Sequence, residues 1–180
     1  MKSIVVYESM FGATHQLAEA VGVGLREQGE CAVVHASEVT DTQLEAADLV
    51  VVGGPTMGHT LSNEQSRKAA VEMVEHPKSG ATPLHLDELA NAPGLREWFD
   101  RIDRYDGKAA AAFDSRVDMP TLVTGHASHG IARRLKKHKF TVVVDPHSFL
   151  VDKEYNLLPD QVSAAQLWGR QLTTHLSALH

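Results

Sequence analysis

The chain has 180 residues, of which 43% are hydrophobic, which is long enough for one buried core and short for two domains. Its net charge of −6 argues against a nucleic-acid-binding protein, and its single cysteine, Cys31, excludes an internal disulfide framework. Met1 to Ser3 lead directly into a strand without a signal-peptide pattern, and no apolar run reaches the length of a membrane span. We therefore expect one cytoplasmic domain over residues 1–180 that binds neither nucleic acid nor membrane.

A short loop separates the first predicted strand from the first predicted helix. Residues 3–7 form an apolar run of strand length, and apolar residues recur at helical spacing from Leu17 to Leu25. Between them lies Ser9-Met10-Phe11-Gly12-Ala13-Thr14. A tight loop before a helix start presents unpaired N–H groups and the positive end of the helix dipole, and this geometry binds phosphate. Gly12 allows close approach of an anion, and Ser9 and Thr14 add hydroxyl donors. The alternative is an ordinary turn with Thr14 as N-cap.

Two more strands are predicted before residue 60. Residues 31–35 form the second strand, and a weak helical turn begins near Thr40. Residues 49–52 are almost purely aliphatic, as in a strand covered on both faces. They end in Gly53-Gly54-Pro55-Thr56-Met57-Gly58, and a segment so rich in glycine, with a proline, is predicted to be a shaped loop and not a strand.

The second half of the chain continues the alternation. Helices are predicted over 64–75 (capped by Ser62 or Asn63), 94–102, 128–139 (capped by Ser128) and 159–179. Strands are predicted over 108–113 and 140–144, with a short extra strand or hairpin arm at 148–151. Residues 77–93 and 117–127 are predicted to be loops.

Alternating strands and helices imply right-handed crossovers and a parallel sheet with helices on both faces. The fold class is therefore α/β with three layers, and five strands fit the doubly wound order 2-1-3-4-5. In that order the loops after strands one, three and four meet at the switch point, and here they are 9–14, 53–58 and 113–116. We expect a ligand there, with its phosphate on the first loop and a flat apolar portion between the other two.

These residues resemble the flavodoxin family over essentially the whole chain. Residues 9–14 match its phosphate loop, [S/T]-x-T-G-x-T, except at Phe11, where a threonine hydroxyl is lost. Quinone oxidoreductases of the tryptophan-repressor-binding-protein type use a similar Ser-Met-Tyr-Gly loop. The stretch from 108 to 151 is similar to small flavodoxin-like proteins of actinobacteria. The resemblance implies the flavodoxin fold and FMN as cofactor.

The resemblance also implies the residues that contact the flavin ring. Met57 stands where many flavodoxins have a tryptophan over the inner face, and Gly58 matches the glycine whose peptide can flip to bond N5 of the reduced flavin. His59 tunes the flavin by its charge or is simply a solvated loop residue. Arg116 holds the flavin's carbonyl side or a substrate carboxylate, oriented by Asp114, with a surface salt bridge as the alternative. The implied cofactor-binding residues are Ser9, Met10, Phe11, Gly12, Ala13, Thr14, Pro55, Thr56, Met57, Gly58, His59, Phe113, Asp114, Ser115 and Arg116.

Other patterns carry weaker signals. His126-x-x-His129 has metal-ligand spacing, but no carboxylate or cysteine nearby completes a set, so no metal site is expected. The basic run 133–139 is a docking patch for an acidic partner or, more simply, a solvated helix face. Cys31 and the aromatic residues Trp98, Phe99 and Trp168 are expected to pack in the core. A phospho-receiver domain is excluded because Gly53-Gly54 occupies the position of its aspartate.

Three functions remain open at this point. The first is an FMN-binding redox protein that carries electrons between protein partners, with no catalytic residue of its own, as a monomer or small homo-oligomer. The second is an NAD(P)H-dependent quinone reductase of the same fold. The third is a flavodoxin-like binding module without flavin. Because no aromatic residue stands in the third loop and Met57 replaces tryptophan, FMN affinity should be below that of the best electron-transfer flavodoxins.

Overall fold

The computed structural model describes residues 1–177, in which strands and helices alternate along the chain. The strands are β1 (Lys2–Tyr7), β2 (Glu30–His35), β3 (Leu49–Met57), β4 (Thr60–Leu61), β5 (Ala109–Val117), β6 (Thr141–Val142) and β7 (His147–Val151). The helices are α1 (Ala13–Arg26), α2 (Asp41–Ala46), α3 (Glu64–Glu75), α4 (Leu95–Arg101), α5 (Thr121–Thr124), α6 (Ala127–Lys137) and α7 (Gln161–Ser177). The predicted end of the last helix, at residue 179, lies outside the described residues.

The sheet is parallel and has the order β2-β1-β3-β5-β6, with β7 also paired to β5 and β4 antiparallel to β3. This confirms the predicted order 2-1-3-4-5, with the fifth strand divided into two pieces. β6 pairs with the first residues of β5, and β7 pairs with its last residues, up to Val117 opposite Val151. Pro146 lies between the two pieces, and its missing N–H interrupts the ladder. The segment predicted as an extra strand or hairpin arm is therefore a parallel strand.

Helices cover both faces of the sheet, as predicted for a doubly wound fold. On one face, α1 and α7 pack on a cluster that contains Val5, Val51 and Trp168. On the other face, α2, α4 and α6 pack on a cluster that contains Trp98 and Phe99. The three aromatic residues predicted to be core are therefore buried. Cys31 is only half-buried beside the first cluster, and this burial raises the pKa of its thiol.

Two segments predicted to be loops are strand. Gly53 to Met57 extend β3, and Phe113 to Arg116 lie within β5. At Gly53 the missing side chain leaves room for the ring of Phe113 in the neighbouring strand. Pro55 is tolerated because Gly53 is the last β3 residue paired with β1, so no β1 carbonyl needs a Pro55 N–H. β5 continues because β7 supplies it with hydrogen-bond partners.

Helix ends follow the predictions in part. Asn63 caps α3 through a reciprocal bond pair with Ser66, as predicted. Ser128 is not the cap of α6, which begins one residue earlier and ends at Lys137 instead of residue 139. The predicted loop 117–127 contains the short helix α5.

Candidate functional site at the carboxyl edge of the sheet

A narrow cleft lies where the first, third and fourth predicted strands end. It is lined by the phosphate-loop segment, by the ends of β3 and β5, by Val151 at the end of β7 and by Tyr155 in the loop that follows β7. The cavity among these side chains measures about 30 Å³. Of the residues predicted from sequence, the lining includes Ser9, Met10, Phe11, Ala13, Thr14, Pro55, Thr56, Met57, Ser115 and Arg116. The three segments predicted to meet do meet here.

The phosphate-loop segment ends in an open helix N-terminus. Gly12 is the N-cap of α1 with φ 95°, a conformation that favours glycine, so the alternative with Thr14 as N-cap is wrong. The Gly12 N–H donates to Ser9 Oγ at 3.1 Å, which fixes the loop. Gln16 is the first residue whose N–H bonds back along the helix, to Gly12 O at 3.0 Å. The amides of Ala13, Thr14 and His15 therefore precede the helical ladder and, with the helix dipole, favour an anion.

The hydroxyl of Thr14 joins the first segment to the third. Its Oγ1 lies 2.7 Å from Ser115 Oγ, and both side chains are buried. In such a pair one hydroxyl donates and the other accepts, so one hydroxyl hydrogen remains for a further acceptor. The link holds the first turn of α1 against β5 at the floor of the cleft.

The second segment ends in a tight hairpin. Gly58 and His59 both have positive φ between the paired residues Met57 and Thr60, the geometry of a two-residue type I′ turn. Gly58 and His59 lie exposed at its tip and do not line the cleft, whereas Met57 does. The hairpin is fixed to the start of α6, because the Ala127 N–H donates to Thr56 Oγ1 at 3.0 Å.

The third segment divides its side chains between two faces of the sheet. Phe113 is buried against Phe149 and Trp168, away from the cleft. Asp114 is fully buried and accepts the Ser128 N–H at 2.7 Å, so it caps α6. It does not orient Arg116 as expected.

Arg116 instead donates to the carbonyls of Val117 and Met119. Its Nε is buried and has no hydrogen-bond partner among the described residues.

The flavodoxin family model matches residues 5–93, which contain the phosphate-loop segment and the β3–β4 hairpin. The chain belongs to the flavodoxin family. Solved structures with the same fold include a flavodoxin from the domain Archaea, at 22% identity and TM-score 0.63 over 98% of this chain and 99% of that one. Flavodoxin 1 from Bacillus cereus is 20% identical with TM-score 0.64, over 97% and 99%. A flavodoxin, WrbA-like protein from Agrobacterium tumefaciens is 16% identical with TM-score 0.60, over 98% of each chain. No curated protein sequence matches the chain significantly.

Behind the phosphate-loop segment lies a buried ionic cluster that sequence reasoning missed. Glu8, at the end of β1, is 1% exposed and accepts hydrogen bonds from Ser62 Oγ and from the Leu95 N–H at the start of α4. Arg67 on α3 lies 3.5 Å from Glu8 and bonds to Glu97 at 2.6 Å. The helices α3 and α4 and the connection before α3 are thereby tied to the residue that precedes Ser9. The available signal was a glutamate directly after an apolar strand.

The long excursion 77–93 also returns to the phosphate loop. The Asp87 N–H donates to Met10 O at 2.7 Å, and the Asp87 carboxylate lies 3.1 Å from His15 Nδ1. The His15 ring stacks on Tyr7 with 4.5 Å between centroids. Burial, assisted by the Asp87 charge, raises the pKa of Tyr7 to about 12, so this phenol stays neutral.

The remaining sequence candidates lie outside the cleft. The rings of His126 and His129 are 4.9 Å apart, and within residues 1–177 no group of three or more His, Cys, Asp or Glu side chains is arranged to hold a metal ion. The basic run lies on the last turn of α6 and just after it, where Arg134 sits 6.0 Å from the ring centroid of Phe99. No helix among residues 1–177 is long and apolar enough to cross a membrane.

Proposed function

We propose that this protein binds FMN and transfers electrons between protein partners. The observation that carries the proposal is the convergence of three segments in one cleft, with Thr14 and Ser115 bonded across it. A ligand with a phosphate at one end and a flat ring at the other matches an open helix N-terminus beside apolar side chains such as Met57. The family assignment and the structural neighbours named flavodoxins support the same cofactor.

The residues at the cleft fit FMN in charge and in donor chemistry. The first turn of α1 contains no acidic residue of its own, so its dipole and the amides of residues 13–15 favour a phosphate. The nearby Asp87 carboxylate is paired with His15. The buried Arg116 Nε is a donor still available to a carbonyl oxygen, which agrees with the expectation that this arginine faces the carbonyl side of the ring. FMN, when bound, supplies one- and two-electron redox chemistry. The protein holds the phosphate, orients the ring and limits access of water.

A second candidate is an NAD(P)H-dependent quinone reductase. Residues 117–125, which follow the third segment, contain no aromatic side chain, and Leu122 is 95% exposed. A segment that does not stack on the outer face of a flavin leaves that face open for a nicotinamide.

Titration of the purified apo-protein with FMN and with riboflavin tests cofactor binding. We expect riboflavin to bind at least about tenfold more weakly, because it lacks the phosphate and its charge-assisted hydrogen bonds. Absence of FMN binding would overturn the proposal and favour a flavodoxin-like module that binds another ligand.

A pair of valine variants tests the phosphate assignment. Gly12→Val combined with Thr14→Ala should abolish the preference for FMN, because valine is strained at φ 95° and alanine removes the bond to Ser115. Gly80→Val is the matched control, since Gly80 also has positive φ and open space around it but does not line the cleft. If the double variant binds FMN as the wild type does, the phosphate site lies elsewhere.

Turnover separates the two redox candidates. With FMN bound, a carrier should not oxidise NADPH when a quinone is the only acceptor. Steady NADPH oxidation with quinone would favour the reductase.

A further inference from the structure

The loop between β7 and α7 brings an aromatic ring to the phosphate loop. Tyr155 lies with its ring centroid 4.7 Å from that of Phe11, at an interplanar angle of 37°. Both residues line the cleft, next to Thr14 and Met57. Tyr155 belongs to none of the three segments whose convergence was predicted.

The loop that carries Tyr155 is internally fixed. Asp152 Oδ1 accepts the N–H groups of Glu154 and Asn156, each at 2.9 Å. The Tyr155 N–H donates to Asp152 O at 3.1 Å, and the Asp152 N–H donates to Asn156 O at 2.9 Å. Tyr155 itself has φ 64°, a left-handed conformation that disfavours a residue with a large side chain. Because the hydrogen bonds of the loop hold a tyrosine in this disfavoured conformation, we expect its side chain to have a function.

This aromatic pair forms part of the wall of the cleft. The cleft volume of about 30 Å³ is far below the roughly 300–1,000 Å³ of sites for drug-sized ligands. A flavin therefore fits only if side chains that line the cleft move apart, and Phe11 and Tyr155 are two of them. Tyr155 is the ring that can do so without disturbing the phosphate loop, because Phe11 is part of that loop.

We propose that Tyr155 is a flavin-binding residue, an aromatic cover that opens to admit FMN and then packs against it. The inference rests on the proposed function, since it takes FMN as the ligand. It supplies from the β7–α7 loop an aromatic contact that the third segment lacks. Phe11 has replaced a phosphate-loop threonine, and its ring is the surface on which Tyr155 rests when the cleft is closed.

FMN association and affinity, measured by stopped-flow fluorescence and calorimetry, test this role. Tyr155→Ala should accelerate association, because no ring has to move, and should weaken affinity by roughly tenfold, because one aromatic contact is lost. Tyr155→Phe should keep the wild-type affinity. Since phenylalanine is harder to oxidise than tyrosine and quenches flavin emission poorly, the bound FMN should be brighter in both variants.

Tyr105→Ala is the matched control. Tyr105 is also half-buried and also contacts a phenylalanine ring, Phe140, at 5.2 Å, but it lies at the opposite edge of the sheet. It should bind FMN as the wild type does.

The outcomes separate this inference from the proposed function. If the wild type and Tyr105→Ala bind FMN and Tyr155→Ala matches them in rate, affinity and emission, Tyr155 does not contact the flavin. Weaker binding by Tyr155→Ala without faster association or brighter emission would give Tyr155 a merely structural role and overturn the inference. If neither the wild type nor any variant binds FMN, the proposed function itself fails, and the inference fails with it.

Discussion

Arg67→Met should destabilise the protein strongly although Arg67 lies on a helix whose residues are mostly exposed. Its side chain is 8% exposed and neutralises the Glu8 carboxylate, which is 2% exposed. Without Arg67, Glu8 remains a buried charge beside the phosphate loop. The other partner of Arg67, Glu97, has 40% of its side chain exposed, so water can hydrate its carboxylate when Arg67 is removed.

The size of the effect follows from the partners that remain. Removing one partner of a buried ion pair typically costs about 3–5 kcal/mol of the free energy of unfolding. Glu8 keeps the hydrogen bonds from Ser62 and Leu95, so we expect the lower end, about 3 kcal/mol. Glu8→Gln should cost less, about 1–2 kcal/mol, because Arg67 retains Glu97.

Urea unfolding monitored by tryptophan fluorescence measures these changes, because Trp98 in α4 and Trp168 in α7 are both buried in the folded chain. The double variant Glu8→Gln with Arg67→Met should be clearly more stable than the sum of the single losses predicts, since it leaves no buried charge. A loss below about 1 kcal/mol for Arg67→Met, or additivity within about 0.5 kcal/mol, would refute this account.

Two glycines and one histidine give further predictions, all measurable by the same unfolding assay. Gly53→Ala should destabilise by about 1–3 kcal/mol, because its methyl group meets the ring of Phe113; wild-type stability would contradict the packing. Gly130→Ala should stabilise by about 0.5–1 kcal/mol, since Gly130 lies within α6 with open space around it. His35 is buried, and this burial lowers its pKa, so the unfolded chain takes up the proton first and stability falls as pH drops below about 6.5. His35→Asn, which keeps an acceptor for the Ser37 N–H, should reduce the slope by up to about 1.4 kcal/mol per pH unit; an unchanged slope would exclude His35 as the cause.

Local patterns in the sequence predicted much of the fold. The aliphatic run 49–52, the alternation of strands with helices and the Asn63 cap each depend on neighbours within a few residues. Hydrophobic periodicity is a local property, and together with right-handed crossovers it leaves few arrangements for the sheet. The phosphate-loop segment was readable for the same reason, since its strand, glycine and helix start are contiguous.

Only the tertiary structure decided how those segments are completed. Gly53 to Met57 are strand because β4 and β5 pair with them. Position 53 is glycine because a side chain there would collide with the ring of Phe113. The burial of Glu8 depends on Ser62, Arg67 and Leu95 being brought together in space, and no local pattern specifies these partners. Tyr155 reaches Phe11 from near the other end of the chain. Such contacts join residues that are far apart in the sequence, so no local pattern predicts them. The sequence by itself therefore determined which three loops meet at the cleft, and only the tertiary structure decided which side chains line it.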